Sequence, residues 1–274
     1  MTGLAVLLGI PVAHSLSPAL HNAAFREHGI PAAYVACHVP PDRLAEAVHG
    51  LDALGAMGAN VTIPHKQAVQ AHCAAIAPEA AAVGAVNTLV RGEAGWTGHN
   101  TDVAGFLTPL ADHALDGAEV TVLGAGGAAR AVVYGLLSAF SPSRITIASR
   151  RPEQADALAE AFAAHDPADA LAVAAMEDAP AADLVVNATP LGMTGREEQT
   201  PYPRADLGPG QTAYDLVYRP RETRFLREAA ANGAQTIGGL PMLIGQAAAA
   251  FELWTGCPFP TETARRAALS ALAP

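Results

Sequence analysis

Positive charge is scarce in this 274-residue chain. Lys and Arg together number 16 against 26 Asp and Glu, a formal net charge of −10. No basic block offsets that balance, which argues against nonspecific binding to nucleic acid. Cysteine is rarer still. Cys37, Cys73 and Cys257 stand far apart and form no metal-ligand spacing, so reduced thiols in a cytoplasmic protein are expected. Long apolar runs are also missing: nothing approaches the roughly 18 consecutive apolar residues of a membrane span. Met1 to Ala13 resembles a secretory signal only in its Ala5-Val6-Leu7-Leu8 core. A basic start is lacking, and Gly9 and Pro11 break the run early, so a buried first strand is the better reading. Neither an internal repeat nor a disordered tail is visible.

What is present is a globular composition, 51% hydrophobic, long enough for one large or two modest domains. Val120-Thr121-Val122-Leu123 reads as a strand that enters the turn Gly124-Ala125-Gly126-Gly127-Ala128, and an alanine-rich helical pattern follows. Gly124 permits a tight turn, and Gly126 lets backbone approach a pyrophosphate at the helix N-terminus. Ala129 stands at the third glycine position, where helix and strand pack closely. A glycine triplet alone is an ordinary turn; placed between a strand and a helix, it reads as a dinucleotide-binding βαβ unit.

The next strand, Arg144 to Ala148, ends in Ser149-Arg150-Arg151. An NAD site usually places Asp or Glu there for the ribose 2′-hydroxyl. A hydroxyl and two guanidiniums suit a 2′-phosphate, so NADP is the expected cofactor, against the plainer account of a solvated basic turn.

The first hundred residues alternate strand and helix, which implies a separate, largely parallel α/β layer. Ser17 and Pro18 are a natural N-cap and first residue for the helix that runs to a stop at Gly29. Capping accounts for Ser17 but not for Ser15, and two hydroxyls at a helix start also make a carboxylate site. Asn60, Thr62 and Lys66 fall at a strand's carboxyl end, where such sheets bind ligands. A hairpin is expected across Arg91 to Gly95. Asp42 and Asp102 each read as helix caps, and the Asp102 helix leads out of the first domain. After Ala188-Thr189-Pro190, whose small residues suit close approach to a flat ring, strands follow at Ala213 to Tyr218 and at Thr236-Ile237. Gly238-Gly239-Leu240-Pro241 marks a return. The fold expected is α/β with two domains. These are a substrate domain (1–101) and a Rossmann-type doubly wound domain (102–237), with C-terminal helices (238–274) packing back on the first, and a cleft between the domains.

With these pieces in order, the chain resembles the shikimate dehydrogenases, NADP-dependent oxidoreductases of aromatic amino acid biosynthesis. The likeness runs through Ser15-Leu16-Ser17-Pro18, Asn60 to Lys66, Gly84 to Thr88, Asn100-Thr101-Asp102, Gly124 to Ala128, Asn187 to Pro190, Tyr214 to Tyr218, and Gly239 to Gln246. It covers nearly the whole chain; each piece is weak alone, and their joint order is specific.

The resemblance implies roles. Ser15 and Ser17 would hold a substrate carboxylate, Lys66 and Asp102 would be the catalytic pair, and Asn60, Thr62, Asn87, Tyr218 and Gln246 would orient the polyol ring. Gly124, Ala125, Gly126, Gly127, Ala128, Ser149, Arg150 and Arg151 would bind the NADP phosphates and ribose. Ala188, Thr189, Pro190, Leu216, Gly239 and Met242 would line the rest of the cofactor site. Removing a hydride from a carbinol requires a proton acceptor, a role for Lys66. Desolvation favours its neutral amine and Asp102 its ammonium, and the sequence leaves that balance open. No metal is implied, because the cofactor carries the hydride chemistry. Ser149-Arg150-Arg151 departs from the commoner Asn-Arg-Thr, and Gln154 replaces a further Arg in some members, so discrimination against NAD is open. Ser17 is the shikimate-type residue where quinate-preferring relatives often carry Thr. A quinate/shikimate or aminoshikimate dehydrogenase is the nearest rival. A noncatalytic NADP-binding regulator would be expected to lack Lys66 or Asp102, and a folate dehydrogenase would not need Ser15, Ser17 and Gln246 together. The substrate partner implied is shikimate or 3-dehydroshikimate; monomer and homodimer both stay open.

Overall fold

The structure is a computed structural model that describes residues 3–202 and 206–272. Met1 and Thr2 of the apolar N-terminal stretch lie outside the described residues. The chain forms two compact units, Met1–Gly105 with Ile244–Pro274, and Phe106–Leu243. Both passages between them fall inside helices.

The first unit contains β1 (Gly3–Gly9), α1 (Ser17–Glu27), β2 (Ala32–His38), α2 (Leu44–Ala53), β3 (Gly58–Val61), β4 (Ala75–Ile76), α3 (Pro78–Val83), β5 (Thr88–Gly92), β6 (Gly95–His99) and the start of α4 (Asp102–Leu107). Its six-stranded sheet has the order β2-β1-β3-β5-β6-β4. Ala5, Val6, Leu7 and Leu8 are all buried, as a central strand covered on both faces requires. β1 pairs in parallel with β2 and β3, whereas β5 pairs antiparallel with β3 and β6. β4 pairs in parallel with β6, so three of the five pairings are parallel as expected, and the hairpin supplies the two antiparallel ones. That hairpin turns more tightly than expected, with Gly92 opposite Gly95.

The second unit contains β7 (Glu119–Leu123), α5 (Gly127–Ala139), β8 (Arg144–Ser149), α6 (Pro152–Phe162), β9 (Leu171–Ala175), β10 (Leu184–Asn187), β11 (Thr212–Asp215), α7 (Arg224–Ala231), β12 (Gln235–Ile237) and the start of α8 (Leu240–Thr255). All six strands are parallel, in the order β12-β11-β10-β7-β8-β9. Counted from β7, this is the doubly wound order of a dinucleotide-binding sheet, whose switch point lies between β7 and β10. Val120, Val122, Ile145, Ile147, Leu184 and Val186 pack with α5 and α6 in the core. The strand expected at Ala213 to Tyr218 stops at Asp215. There the Asp215 carboxylate accepts from the backbone N–H of Val217 at 2.9 Å and draws the chain off the ladder.

The latter part of α8 and α9 (Thr261–Leu272) return to the first unit. Phe251 contacts Phe25 and Phe259, each at 5.4 Å between ring centroids, and α9 packs along α1. Trp254 lies over Gly58, where a Cβ would meet its indole nitrogen at 2.0 Å, and donates from Nε1 to the Leu89 carbonyl. Only glycine leaves room for this seat.

Two expected caps differ. Asp42 lies in a 3-10 turn before α2 and makes no capping bond. α1 starts one residue earlier than expected, with Ser17 as its first helical residue and Leu16 at the N-cap, so the Ser17 hydroxyl does not cap the helix.

Candidate active site

Lys66 follows β3 by a short turn. Its backbone is fixed when the carbonyl accepts from Val86 N at 2.8 Å. From there Nζ donates to Oδ2 of Asp102 at 2.5 Å, with side-chain exposures of 15% and 9%. Asp102 is the first residue of α4, yet its carboxylate does not cap the helix. Asn100 does that work, its Oδ1 accepting from the Asp102 N–H at 3.1 Å, which leaves both carboxylate oxygens for side chains. Oδ1 of Asp102 accepts from Asn87 Nδ2 at 2.8 Å.

Asn87 is the hub beneath this pair. Its Nδ2 also donates to Thr101 Oγ1 at 3.0 Å. Its Oδ1 accepts from Thr101 N at 2.7 Å and from Thr88 Oγ1 at 3.0 Å. Two donors and two lone pairs are all engaged, so its amide acts on the site by fixing Asp102. The Asn60 amide is almost fully engaged too: Nδ2 donates to Thr88 Oγ1 at 3.0 Å, and Oδ1 accepts from Tyr34 OH at 2.8 Å. Such a saturated buried network fixes geometry.

Ser15 and Ser17 meet at the start of α1, where Oγ of Ser15 donates to Oγ of Ser17 and accepts from the Ser17 N–H, both at 3.2 Å. Ser15 thus engages the first helical N–H, while the Ser17 hydroxyl caps nothing and stays available to an anion at the helix start. Thr62 lies just past β3, half-buried, and its N–H donates to Leu8 O at 2.9 Å. Gln246 belongs to the first unit through α8 and is buried. Tyr218 belongs to the second unit, unlike the other residues expected around the ring.

In the second unit, Gly124 adopts φ +110, and its N–H donates to Ala148 O at 2.7 Å. A Cβ there would press on Thr189 at 3.0 Å and Ala188 O at 3.2 Å. Gly126, the N-cap of α5, is exposed, and a Cβ would meet nothing within 4 Å. Ala125, Gly127 and Ala128 are half-buried around it. This open glycine before unpaired helical N–H groups is the cradle a pyrophosphate fits. At the end of β8, buried Ser149 accepts from Arg151 N at 3.2 Å, while Arg150 and Arg151 are exposed. Neither guanidinium has an ion-pair or hydrogen-bond partner among the described residues. The residues present therefore fit a 2′-phosphorylated dinucleotide. Ala188, Thr189 and Pro190 follow β10, and Leu216 follows β11. Gly239 lies so close to Leu216 that a Cβ would stand 2.3 Å from its carbonyl oxygen, and Met242 is buried in the unit's core.

Sequence reasoning gave several residues no role of their own, although most lie in the matching segments. Asn100, Thr88 and Thr101 build the network, and Asp215 and His21 are fully buried polar groups. One signal was available without any structure. Lys66 is the only lysine in the chain, and the other 15 cationic residues are arginine. A lone ammonium among guanidiniums marks a position that needs a group able to give up its proton.

A doubly wound parallel sheet with an open glycine N-cap and unpaired arginines, in a chain whose other unit buries a Lys–Asp pair, defines a dinucleotide-dependent oxidoreductase. Comparisons agree and go further. Residues 7–89 match the shikimate dehydrogenase substrate binding domain, 109–193 the shikimate / quinate 5-dehydrogenase model, and 239–269 the shikimate 5'-dehydrogenase C-terminal domain. The NADP(+) shikimate dehydrogenase of Salinibacter ruber is 56% identical over 268 residues, 94% of each chain. The Thermus thermophilus shikimate 5-dehydrogenase, solved with NADP(H) and shikimate, is 40% identical with a TM-score of 0.88, covering 99% of this chain and 100% of that one. Quinate dehydrogenase from Corynebacterium glutamicum, solved with NAD, is 33% identical with a TM-score of 0.89, covering 98% of this chain and 99% of that one. This chain belongs to the shikimate dehydrogenase family.

Proposed function

We propose that the chain catalyses the reversible NADP-dependent reduction of 3-dehydroshikimate to shikimate, in the shikimate route to aromatic amino acids, with Lys66 as the proton-transfer group. The observation that carries the reading is the largely buried Lys66–Asp102–Asn87 cluster, with Lys66 part-exposed, in a chain with no other lysine.

Reduction turns a ring carbonyl into a carbinol. NADPH, when bound, supplies the hydride for the keto carbon. The Lys66 ammonium gives its proton to the carbonyl oxygen as the C=O π bond breaks; in oxidation, the amine takes the hydroxyl proton back. Asp102 orients the Lys66 nitrogen and accepts a hydrogen bond from the substrate hydroxyl. Asn87, saturated by its own partners, holds Asp102 so that this orientation is set before substrate arrives. Ser15 and Ser17 receive the substrate carboxylate at the start of α1, and Asn60, Thr62, Tyr218 and Gln246 orient the ring hydroxyls. Gly126 and the first turn of α5 hold the pyrophosphate, and Ser149, Arg150 and Arg151 receive the 2′-phosphate. Arginine at the end of β8, where an NAD site places a carboxylate, supports NADP over NAD. Three free cysteines accord with a cytoplasmic location.

The test is a steady-state assay with shikimate or quinate, each paired with NADP or NAD, alongside Lys66→Ala. Turnover with shikimate and NADP, lost in the variant, is the expected result. Preferred turnover of quinate or use of NAD would move the chain to the quinate branch. NADP binding without turnover of either acid would overturn the enzyme reading.

A further inference from the structure

The buried carboxylate of Asp215 has no part in the chemistry above, yet it joins three segments of the second unit. It ends β11, directly opposite Asn187 at the end of β10, and is fully buried. Oδ1 accepts from Asn187 Nδ2 at 2.8 Å and from Val217 N at 2.9 Å. Oδ2 accepts from Thr223 Oγ1 at 2.6 Å, and Thr223 in turn caps α7 by accepting from Leu226 N.

Asn187 passes the constraint on. Its Nδ2 also donates to Leu191 O at 3.1 Å, and its Oδ1 accepts from the Thr189 N–H at 2.9 Å and the Thr189 hydroxyl at 2.7 Å. One carboxylate thus fixes residues 188–191 on one side and 216–217 on the other. Gly239 is tied to the second of these, its N–H donating to Val217 O at 3.2 Å. The family resemblance implies that these same loops line the cofactor site beyond its phosphates, through Ala188, Thr189, Pro190, Leu216 and Gly239. The Gly124 turn is seated against the Ala188–Thr189 loop as well.

We propose that Asp215 is a positioning residue for the cofactor: through Asn187 it sets the 188–191 loop, and through Val217 the 216–217 loop, in the shape that receives NADP. The inference rests on the dehydrogenase reading for the identity of the ligand and for the loops that line its site. Three donors converge on the carboxylate. Removing it takes the acceptor from the Val217 N–H and from one N–H of the Asn187 amide, and both loops lose their common anchor. Burial raises the Asp215 carboxyl to about 6 despite those three bonds. Keeping an ionisable group in so costly a place fits a role in fixing geometry.

The test is NADP binding to the full-length chain by isothermal titration calorimetry, which requires no turnover. Asp215→Ala should weaken NADP by at least about tenfold, the scale of loss from displaced positioning groups, and weaken shikimate, through Tyr218 next to the 216–217 loop, by clearly less. Asp215→Asn should restore NADP affinity, because its amide oxygen keeps the bonds from Asn187 and Val217 while its Nδ2 donates to Thr223. Thr223→Val, which removes the Oδ2 bond and the α7 cap but leaves the bonds from Asn187 and Val217 in place, should weaken NADP about threefold and decides the matter if Asp215→Ala does not fold. Unchanged NADP affinity in whichever of Asp215→Ala and Thr223→Val folds, or an equal loss of shikimate and NADP affinity, overturns the proposal. A wild-type chain that binds NADP but turns over neither shikimate nor quinate sinks the dehydrogenase reading alone.

Discussion

Lys66 Nζ and Asp102 Oδ2 stand 2.5 Å apart, and the other oxygen of that carboxylate is already held by Asn87. This pair depends on a division of labour that residue types alone do not reveal. Asn100 caps α4, so Asp102 does not have to. The same carboxylate turned toward the helix would leave Lys66 without its partner.

Lys66→Arg should therefore be nearly as inactive as Lys66→Ala. Arginine keeps the charge and reaches Asp102, but its guanidinium does not release a proton at workable pH. The kcat of both variants should fall by about 10²–10⁴, the scale of a lost general acid–base group, with NADP affinity unchanged. Substantial activity in the arginine variant would show that Lys66 serves only as a fixed charge.

Asn87→Ala should damage both activity and stability. It frees Asp102 to rotate and leaves buried Thr101 N–H and Thr88 Oγ1 without their acceptor. The stability loss should be roughly 1–3 kcal/mol in a denaturant melt, the cost of stranding buried polar groups. A fall in kcat with the KM for NADP unchanged is the accompanying signature. Asp102→Asn, which stays hydrogen-bonded, should lower kcat with a smaller loss of stability.

Arg150→Ala and Arg151→Ala bear on cofactor choice. Each removes an exposed guanidinium with no partner among the described residues, so folding stability should change little. The KM for NADP should rise about tenfold or more in the variant that loses the 2′-phosphate contact, consistent with about 1.5–3 kcal/mol for a charge-assisted hydrogen bond. The KM for NAD, which lacks that phosphate, should stay where it is. Parallel changes with both cofactors would place these arginines elsewhere than at the 2′ position.

These expectations draw unequally on sequence. The strand–glycine turn–helix at Val120 to Arg130 was legible because turn chemistry and hydrophobic pattern are local. The C-terminal helices were legible from Gly238-Gly239-Leu240-Pro241 onward for the same reason. What escaped is what burial decides. Asp102 reads as a cap until Asn100 is seen doing that job, and Ser17 reads as a cap until the helix is seen to begin with it. Asp215 lies in an ordinary strand pattern, and only the register opposite Asn187 makes it a junction. His21 looks like any polar residue on a helix. Lys66 differs in kind: its singularity could be read by counting lysines.

His21 and Asp215 pull the pH dependence of stability in opposite directions. Burial raises Asp215 from 3.8 to about 6, so its favourable contribution is complete below pH 3.8 and is lost as pH rises through about 6. Its charge thus costs on the order of 3 kcal/mol at pH 8, and the neutral Asp215→Asn should melt no lower than wild type there. An Asp215→Asn protein markedly less stable at pH 8 would mean that the ionised carboxylate is worth more than its burial costs.

His21 is the larger and opposite case. It lies fully buried in the first unit, stacked on Tyr34 at 4.4 Å and flanked by Trp254 and Phe259, and neither ring nitrogen makes a hydrogen bond of normal geometry. Burial lowers it from 6.5 to about 3, and the nearby Asn60 side chain opposes that shift only in part. Between those values the unfolded chain binds the proton more readily, so the contribution of His21 is complete above pH 6.5 and falls away as pH drops toward 3. By pH 4 the loss should reach on the order of 3 kcal/mol, and it should dominate acid unfolding of the first unit. His21→Phe removes both the titration and the two stranded nitrogens while keeping the stacked ring. Thermal melts of this variant should match or exceed wild type at pH 7 and lose the steep decline between pH 6 and 4. A decline that persists unchanged would assign the acid sensitivity to other groups and place His21 in the core as a tolerated ring.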